Sequence, residues 1–211
     1  VANDLPPKHE KMELLQMSNF QRNLYADALD AFQKRQDPTR HSPFTNHLGL
    51  LQYLRWLCTD PKEVGRQVFV PEPLRDYRRK SPKLDWIIHT LEEIRAKKEK
   101  AILFCEFREM QRMLVHSIQE VFSYKADVIN GDTTTSAEHA MSRQKRIDAF
   151  QIQSGFGVLI LSPKAVGFGV NIQAANHVIH YTRSWNPALE NQATDRAYRI
   201  GQKKPVYVYY P

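Results

Sequence analysis

The sequence predicts an α/β fold, a parallel sheet with helices on both faces, preceded by a mainly helical N-terminal extension. Three observations predict it. Uninterrupted apolar runs at residues 101–105, 157–162 and 177–181 suit strands buried on both faces, and stretches with helical apolar spacing alternate with them. The first eighty residues differ in texture, with helical patterns broken by proline. The expected organisation is therefore a helical extension and linker over residues 1–80 and an α/β lobe over residues 81–211. Ligands of such a sheet belong at the C-terminal ends of its strands.

Taken in order, residues 12–17 read as a short strand. Ser18-Asn-Phe-Gln21 then has the form of a capping box, which starts a helix running to about residue 36, where Asp37-Pro38 ends it. Ser42-Pro43 opens a second helix whose apolar face is Leu48, Leu51, Leu54, Leu57 and Cys58. Residues 61–80, with three prolines and the basic run from Arg75 to Lys80, read as an irregular linker. The basic run suits solvent or a phosphate backbone. Ser81-Pro82 opens a third helix, where Leu84, Ile87, Ile88, Leu91 and Ile94 repeat at helical spacing. Beyond it the order is strand at 101–105, helix through Met110, Met113, Leu114, Ile118 and Val121, strand at 126–129, a turn at Asn130-Gly-Asp, and helix to about Phe150. Strands at 157–162, 177–181 and 206–210 follow, with one more helix before the last.

A chain of 211 residues with 42% hydrophobic content is long enough to bury a core. No apolar run approaches the roughly 20 residues of a membrane span, and the N-terminus lacks a signal-peptide core, so an intracellular protein without membrane contact is expected. The chain starts without methionine and stops at the end of a strand, as an excised fragment would. Cys58 and Cys105 lie among apolar residues and away from any Cys/His cluster, so buried free thiols and no structural metal are expected. A net charge of +7 and a pI of about 9.4 permit a polyanionic partner.

Two stretches carry candidate chemistry. Residues 185–202 read as a short helix in which Gln192, Arg196 and Arg199 fall within roughly 60° of one another, beside an apolar stripe of Leu189, Ala193, Ala197 and Ile200. Two permanently charged, planar guanidinium groups on one anchored face suit a polyphosphate. They equally suit an exposed helix paired with Glu190 and Asp195. The second stretch is residues 162–172, where Gly167 and Gly169 follow a buried strand; glycines there let backbone N–H groups approach a phosphate or sugar, or simply turn the chain. The chain contains no G-x-x-x-x-G-K-[ST] loop and no acidic pair on a strand end to hold magnesium. Arginines aimed at phosphate without a phosphate cradle describe half of a composite site.

Leu161-Ser-Pro-Lys-Ala-Val-Gly-Phe-Gly-Val-Asn-Ile172, Tyr181-Thr-Arg-Ser-Trp-Asn-Pro187 and Gln192-Ala-Thr-Asp-Arg-Ala-Tyr-Arg-Ile-Gly-Gln202 resemble motifs V and VI of the SWI/SNF-type, superfamily-two DNA translocases, in their second RecA-like lobe. Leu5-Pro-Pro-Lys8, Leu54-Arg-Trp-Leu-Cys58, Ser81-Pro-Lys-Leu84, Ile102-Leu-Phe-Cys105 and Ile129-Asn-Gly131 extend the resemblance over almost the whole chain.

The resemblance implies an ATP-driven motor on double-stranded DNA, with ATP and Mg held mainly by a first RecA-like lobe of the same polypeptide. Arg196 and Arg199 then reach that ATP, Arg199 as the arginine finger, with Gln192 orienting the face and Gly167 and Gly169 near the nucleotide. Ser162, Lys164, Asn171 and Trp185 fall to the DNA side. The sequence departs from the pattern at Val166, where a second glycine is usual, and at Thr182, in place of an aspartate. The run over 132–145 is longer than usual, so Arg143 and Arg146 both qualify for one phosphate contact. A lobe of an RNA helicase and a non-hydrolysing interaction module remain as alternatives; Gln202 stands where DEAD-box RNA helicases usually have arginine.

Overall fold

The computed structural model describes residues 5–36, 42–66, 68–130, 137–163, 171–199 and 201–211, with backbone alone over 137–142. The elements are β1 (Lys8–Met12), α1 (Asn19–Gln33), α2 (His47–Leu57), α3 (Leu74–Lys80), α4 (Pro82–Ala96), β2 (Lys100–Phe104), α5 (Arg108–Phe122), β3 (Asp127–Ile129), α6 (Ala137–Ile152), β4 (Gly157–Leu161), β5 (His177–His180), α7 (Pro187–Thr194) and β6 (Val206–Tyr210). They fall into two compact units, Leu15–Ile87 and Val1–Leu14 with Ile88–Pro211, and the division lies inside α4.

The larger unit is built on a six-stranded sheet in the order β1-β6-β5-β2-β4-β3, every pair parallel. It is the RecA-like α/β architecture. Every residue of β2 and of β4 is buried, as strands covered on both faces must be, which is why they read as unbroken apolar runs. Ile102 of β2 stands between Leu159 and Val178 in register, and these join Phe104, Leu161, Ile172, Val208, Ala193 and Ala197 in one core. The spacing in α4 holds as read: Leu84, Ile87, Ile88, Leu91 and Ile94 are at most 1% exposed.

The first strand is found at residues 8–12, earlier than the sequence places it, and it joins this sheet. All five of its side chains are exposed. An edge strand held by backbone pairing, with His9 stacked on Tyr207 at 5.2 Å, leaves no apolar pattern to read.

The smaller unit is helical. Ser18 Oγ accepts from Gln21 N at 3.1 Å while the Gln21 side chain accepts from Ser18 N at 3.2 Å, which is the expected capping box, and Ser18 Oγ donates to Lys80 O at 2.7 Å. Helices α1 and α2 share a core of Ala28, Phe32, Phe44, Leu50, Tyr53, Leu54 and Leu57. The buried face of α2 thus differs from the expected one: Leu48 and Leu51 are 71% and 49% exposed, and Cys58 is exposed. Two apolar stripes overlap on this helix, and the one with Tyr53 wins, its hydroxyl donating to Lys62 O at 2.9 Å.

Residues 74–80, expected as irregular, form α3. A seven-residue helix has little stability of its own, and here buried Tyr77 anchors it through a hydroxyl bond to buried Asp60. The basic run is partly neutralised: Arg78 pairs with Asp85 at 2.6 Å, Lys80 with Glu72 at 2.6 Å, and Arg79 lies 3.9 Å from Asp76. Both cysteines are free thiols, Cys105 buried.

Candidate functional site

Helix α7 starts with Asn186, whose Oδ1 accepts from Ala188 N at 3.0 Å, and with Pro187 in the first turn, where its missing N–H costs nothing. It ends at Thr194, earlier than the sequence reading, so Gln192 is helical while Arg196 and Arg199 lie in the turns beyond. The single helical face of Gln192, Arg196 and Arg199 does not form. Past Thr194 the N–H groups bond within the segment, Arg196 N to Ala193 O at 3.2 Å and Ala197 N and Tyr198 N to Thr194 O at 3.0 Å each, while two carbonyls are taken up by neighbours: Arg196 O accepts from Ile172 N at 3.0 Å, and the Gln202 amide donates to Ala197 O at 3.2 Å.

The docked stripe also differs. It consists of Glu190, Ala193, Thr194 and Ala197, each at most 5% exposed, whereas Leu189 is 43% exposed. Ile200 lies outside the described residues. A buried glutamate needs partners, and Glu190 finds them in Arg183, through Nε to Oε1 and Nη2 to Oε2 at 2.9 Å each, and in Ser184 N at 2.7 Å. Burial pushes its carboxyl up, but these hydrogen bonds outweigh burial and hold it below the usual range. Glu190 is therefore bound to Arg183 and not to the two candidate arginines.

Thr194 is fixed by a 2.9 Å bond between its hydroxyl and His180 Nε2. His180 stacks between Phe104 at 5.3 Å and Tyr210 at 5.1 Å, and Arg183 lies over the Tyr210 ring at 4.6 Å. Burial pushes the His180 imidazole down to about 4, so it is neutral near pH 7.

The predicted site residues divide into two groups. Arg196 and Arg199 lie on the segment pinned to the residues preceding β5; Arg196 is half-buried, with its Nε enclosed and without a hydrogen-bond partner among the described residues, and Arg199 is exposed. Asn171, exposed, adjoins Ile172 and so belongs with them. Gln192 is exposed on α7. The second group sits beyond the C-terminal ends of strands. Ser162, 7% exposed, follows β4 and donates its N–H to Ile129 O at 2.9 Å, and Trp185 follows β5 with 67% of its surface exposed. Trp185 is thus not a core aromatic. Lys164, Val166, Gly167 and Gly169 lie outside the described residues.

Of the two arginines on α6, Arg143 is 6% exposed and Arg146 is exposed, donating to Val128 O at 3.1 Å. Thr182, in place of the family's aspartate, is buried and its hydroxyl accepts from Glu106 N at 2.8 Å. Two residues that sequence reasoning gave no place in the site hold it together, Arg183 and Gln202. Gln202 had a local signal in its glycine neighbour: Gly201 has φ of 102°, and a Cβ there would come within 2.6 Å of Gln173 Nε2.

Residues 82–201 match the model of the helicase conserved C-terminal domain. The chain belongs to that family. It is 49% identical over 216 residues to the Zorya protein ZorD of Escherichia coli O139:H28, which covers 100% of this chain and 19% of ZorD. It is 35% identical over 213 residues to YwqA of Bacillus subtilis, named among the ATP-dependent helicase/translocases, covering 99% of this chain and 22% of YwqA. The SWI2/SNF2 ATPase core of Sulfolobus solfataricus, solved in complex with dsDNA, superposes with a TM-score of 0.70 at 27% identity, over 100% of this chain and 42% of that one. The chain is a C-terminal helicase lobe of SWI2/SNF2 type. It spans about a fifth of the length of these two curated relatives.

An unpartnered guanidinium Nε at the edge of the arginine segment suits a phosphate oxygen. Among the described residues no group of three or more His, Cys, Asp and Glu side chains is placed to hold a metal ion. Among the described residues no helix is long and apolar enough to cross a membrane.

Proposed function

We propose that this chain is the second motor lobe of an ATP-dependent duplex-DNA translocase, and that it completes an ATP site whose phosphate cradle and magnesium carboxylates belong to a first RecA-like lobe. The observation that carries this reading is Arg196: a half-buried arginine with a fixed backbone and an enclosed, unpartnered Nε, in a lobe of SWI2/SNF2 type. A preorganised guanidinium stabilises charge developing on a transferred γ-phosphoryl, and an arginine finger contributes about 10³–10⁵ in rate in other phosphoryl-transfer enzymes. Arg199, exposed beside it, is the finger, and Gln192 supports the same surface. Gly167 and Gly169 approach the nucleotide. The motor lobe is proposed over residues 81–211, with β1 from the preceding residues added to the edge of its sheet.

On the DNA side, Trp185 offers an exposed ring, and Ser162, Lys164 and Asn171 contribute phosphate contacts that couple the strand to the ATP site. A duplex-DNA substrate places the protein's work inside the cell. ZorD and YwqA support the reading as relatives, and the Sulfolobus structure supports DNA as the partner.

The test is Arg199→Ala in the full-length protein. DNA-stimulated ATP hydrolysis falls by about 10³-fold or more, with a much smaller loss of ATP binding; turnover at the wild-type rate rejects the assignment. The isolated chain shows negligible ATPase activity, and substantial turnover by it removes the need for a first lobe.

A further inference from the structure

We propose that Gln202 is a positioning residue for the two arginines, acting through the backbone that carries them. This rests on the role proposed above for Arg196 and Arg199. The Gln202 side chain is 5% exposed and all of its hydrogen-bonding capacity is used. Nε2 donates to Ala175 O at 2.9 Å, Gln173 O at 3.0 Å and Ala197 O at 3.2 Å, one N–H being shared, and Oε1 accepts from Lys203 N and Lys204 N at 3.0 Å each.

Those five bonds tie together three separated stretches. Residues 173–175 precede β5, residues 203 and 204 precede β6, and Ala197 lies between Arg196 and Arg199. The strands are part of a fully paired parallel sheet, so the amide adds the rigidity of the sheet to turns whose own backbone bonds are short-range, from Arg196 N to Ala193 O and from Ala197 N and Tyr198 N to Thr194 O. The Ile172 N–H bond to Arg196 O adds a second tie on the same side. Arg199 is exposed, so its reach is governed by where the backbone sits.

The chemistry of the amide makes the inference testable. Nitrogen and oxygen are used in opposite senses at one position, so Gln202→Glu keeps shape and volume while turning an oxygen toward three carbonyl oxygens. Gln202→Met keeps much of the volume and removes every polar contact. A displacement of about 1 Å in a positioning element costs on the order of 10²-fold in rate.

The experiment uses the full-length protein, with kcat and KM for ATP at saturating duplex DNA and amide hydrogen exchange of the peptides spanning residues 172–204. For Gln202→Glu, kcat falls by about 10-fold or more while KM for ATP stays within about 3-fold, and exchange over 197–204 accelerates. If that variant does not fold, Gln202→Met carries the test with the same kcat-selective loss. Wild-type kcat in the folded variant, with Arg199→Ala still slow, overturns the positioning role and leaves the arginine assignment standing. Wild-type kcat in both Gln202→Glu and Arg199→Ala removes the arginine assignment and the positioning role together. A rise in KM with unchanged kcat overturns the positioning role as well, because it marks lost ground-state binding.

Discussion

Arg183 and Glu190 form a two-pronged ion pair, Nε to Oε1 and Nη2 to Oε2 at 2.9 Å each, that joins the end of β5 to the buried side of α7. The pair is asymmetric: the Arg183 side chain is 46% exposed and the Glu190 side chain only 6%. Removing one member is therefore unlike removing the other.

Arg183→Ala leaves Glu190 buried with Ser184 N as its remaining charge-stabilising donor. We expect a loss of about 2 kcal/mol, below the range for fully buried pairs because water reaches the arginine. Adding Glu190→Gln to that variant recovers part of the loss. Urea unfolding of the two variants and the wild type decides it; a double variant no more stable than Arg183→Ala contradicts this account.

The buried histidines set an acid limit. Burial pushes His180 down to about 4 and lowers His177 as well, from an ordinary value of 6.5. The unfolded chain takes up protons near pH 6.5 that the folded chain refuses, so this contribution to stability is complete above 6.5 and is lost as pH falls toward 4. The slope is at most about 1.4 kcal/mol per pH unit for each histidine. His180→Phe, which keeps a ring between Phe104 and Tyr210, makes the decline shallower; urea midpoints at pH 5 and pH 7.5 measure it.

Ala197 is fully buried against the sheet core, one residue past Arg196. Ala197→Leu has no space to fill and costs about 1–3 kcal/mol by overpacking. Because the added bulk displaces the arginine segment, the same variant in the full-length protein loses turnover by more than its stability loss accounts for at a temperature where it is fully folded. Thermal unfolding and single-temperature kinetics separate the two effects.

In the helical unit, Ser18→Ala removes both the cap of α1 and the donor to Lys80 O. A cap alone is worth about 1 kcal/mol, and the additional bond brings the expected loss to about 2 kcal/mol. Ser18→Thr retains most of it. Denaturation that reports on the helical unit, for instance through Trp56 fluorescence, distinguishes these outcomes.

What was legible followed local physics. The capping box at Ser18 and Gln21, the stripe along α4 and the unbroken apolar runs of β2 and β4 each repeat at the period of the element they form, so they were readable one element at a time. β1 escapes such a reading because an exposed edge strand carries no such period, and α3 escapes it because a seven-residue helix exists through Tyr77 and Asp60. Leu48 and Leu51 are exposed despite their helical spacing because spacing identifies an apolar face only when a single stripe is present. In the proposed site, Arg196, Arg199 and Trp185 are named from contiguous motifs.

Their arrangement is not read that way. The sequence by itself determined the fold class and the lobe, since each is written in short-range pattern. Tertiary structure alone decided that α7 stops at Thr194, that Glu190 is bound to Arg183, and that Gln202 reaches back 29 residues to Gln173 while holding Ala197 between the arginines. The physical reason is that a helix ends where its carbonyls and N–H groups find better partners, and here those partners, Ile172 and Gln202, are brought to the segment only when the parallel sheet has formed.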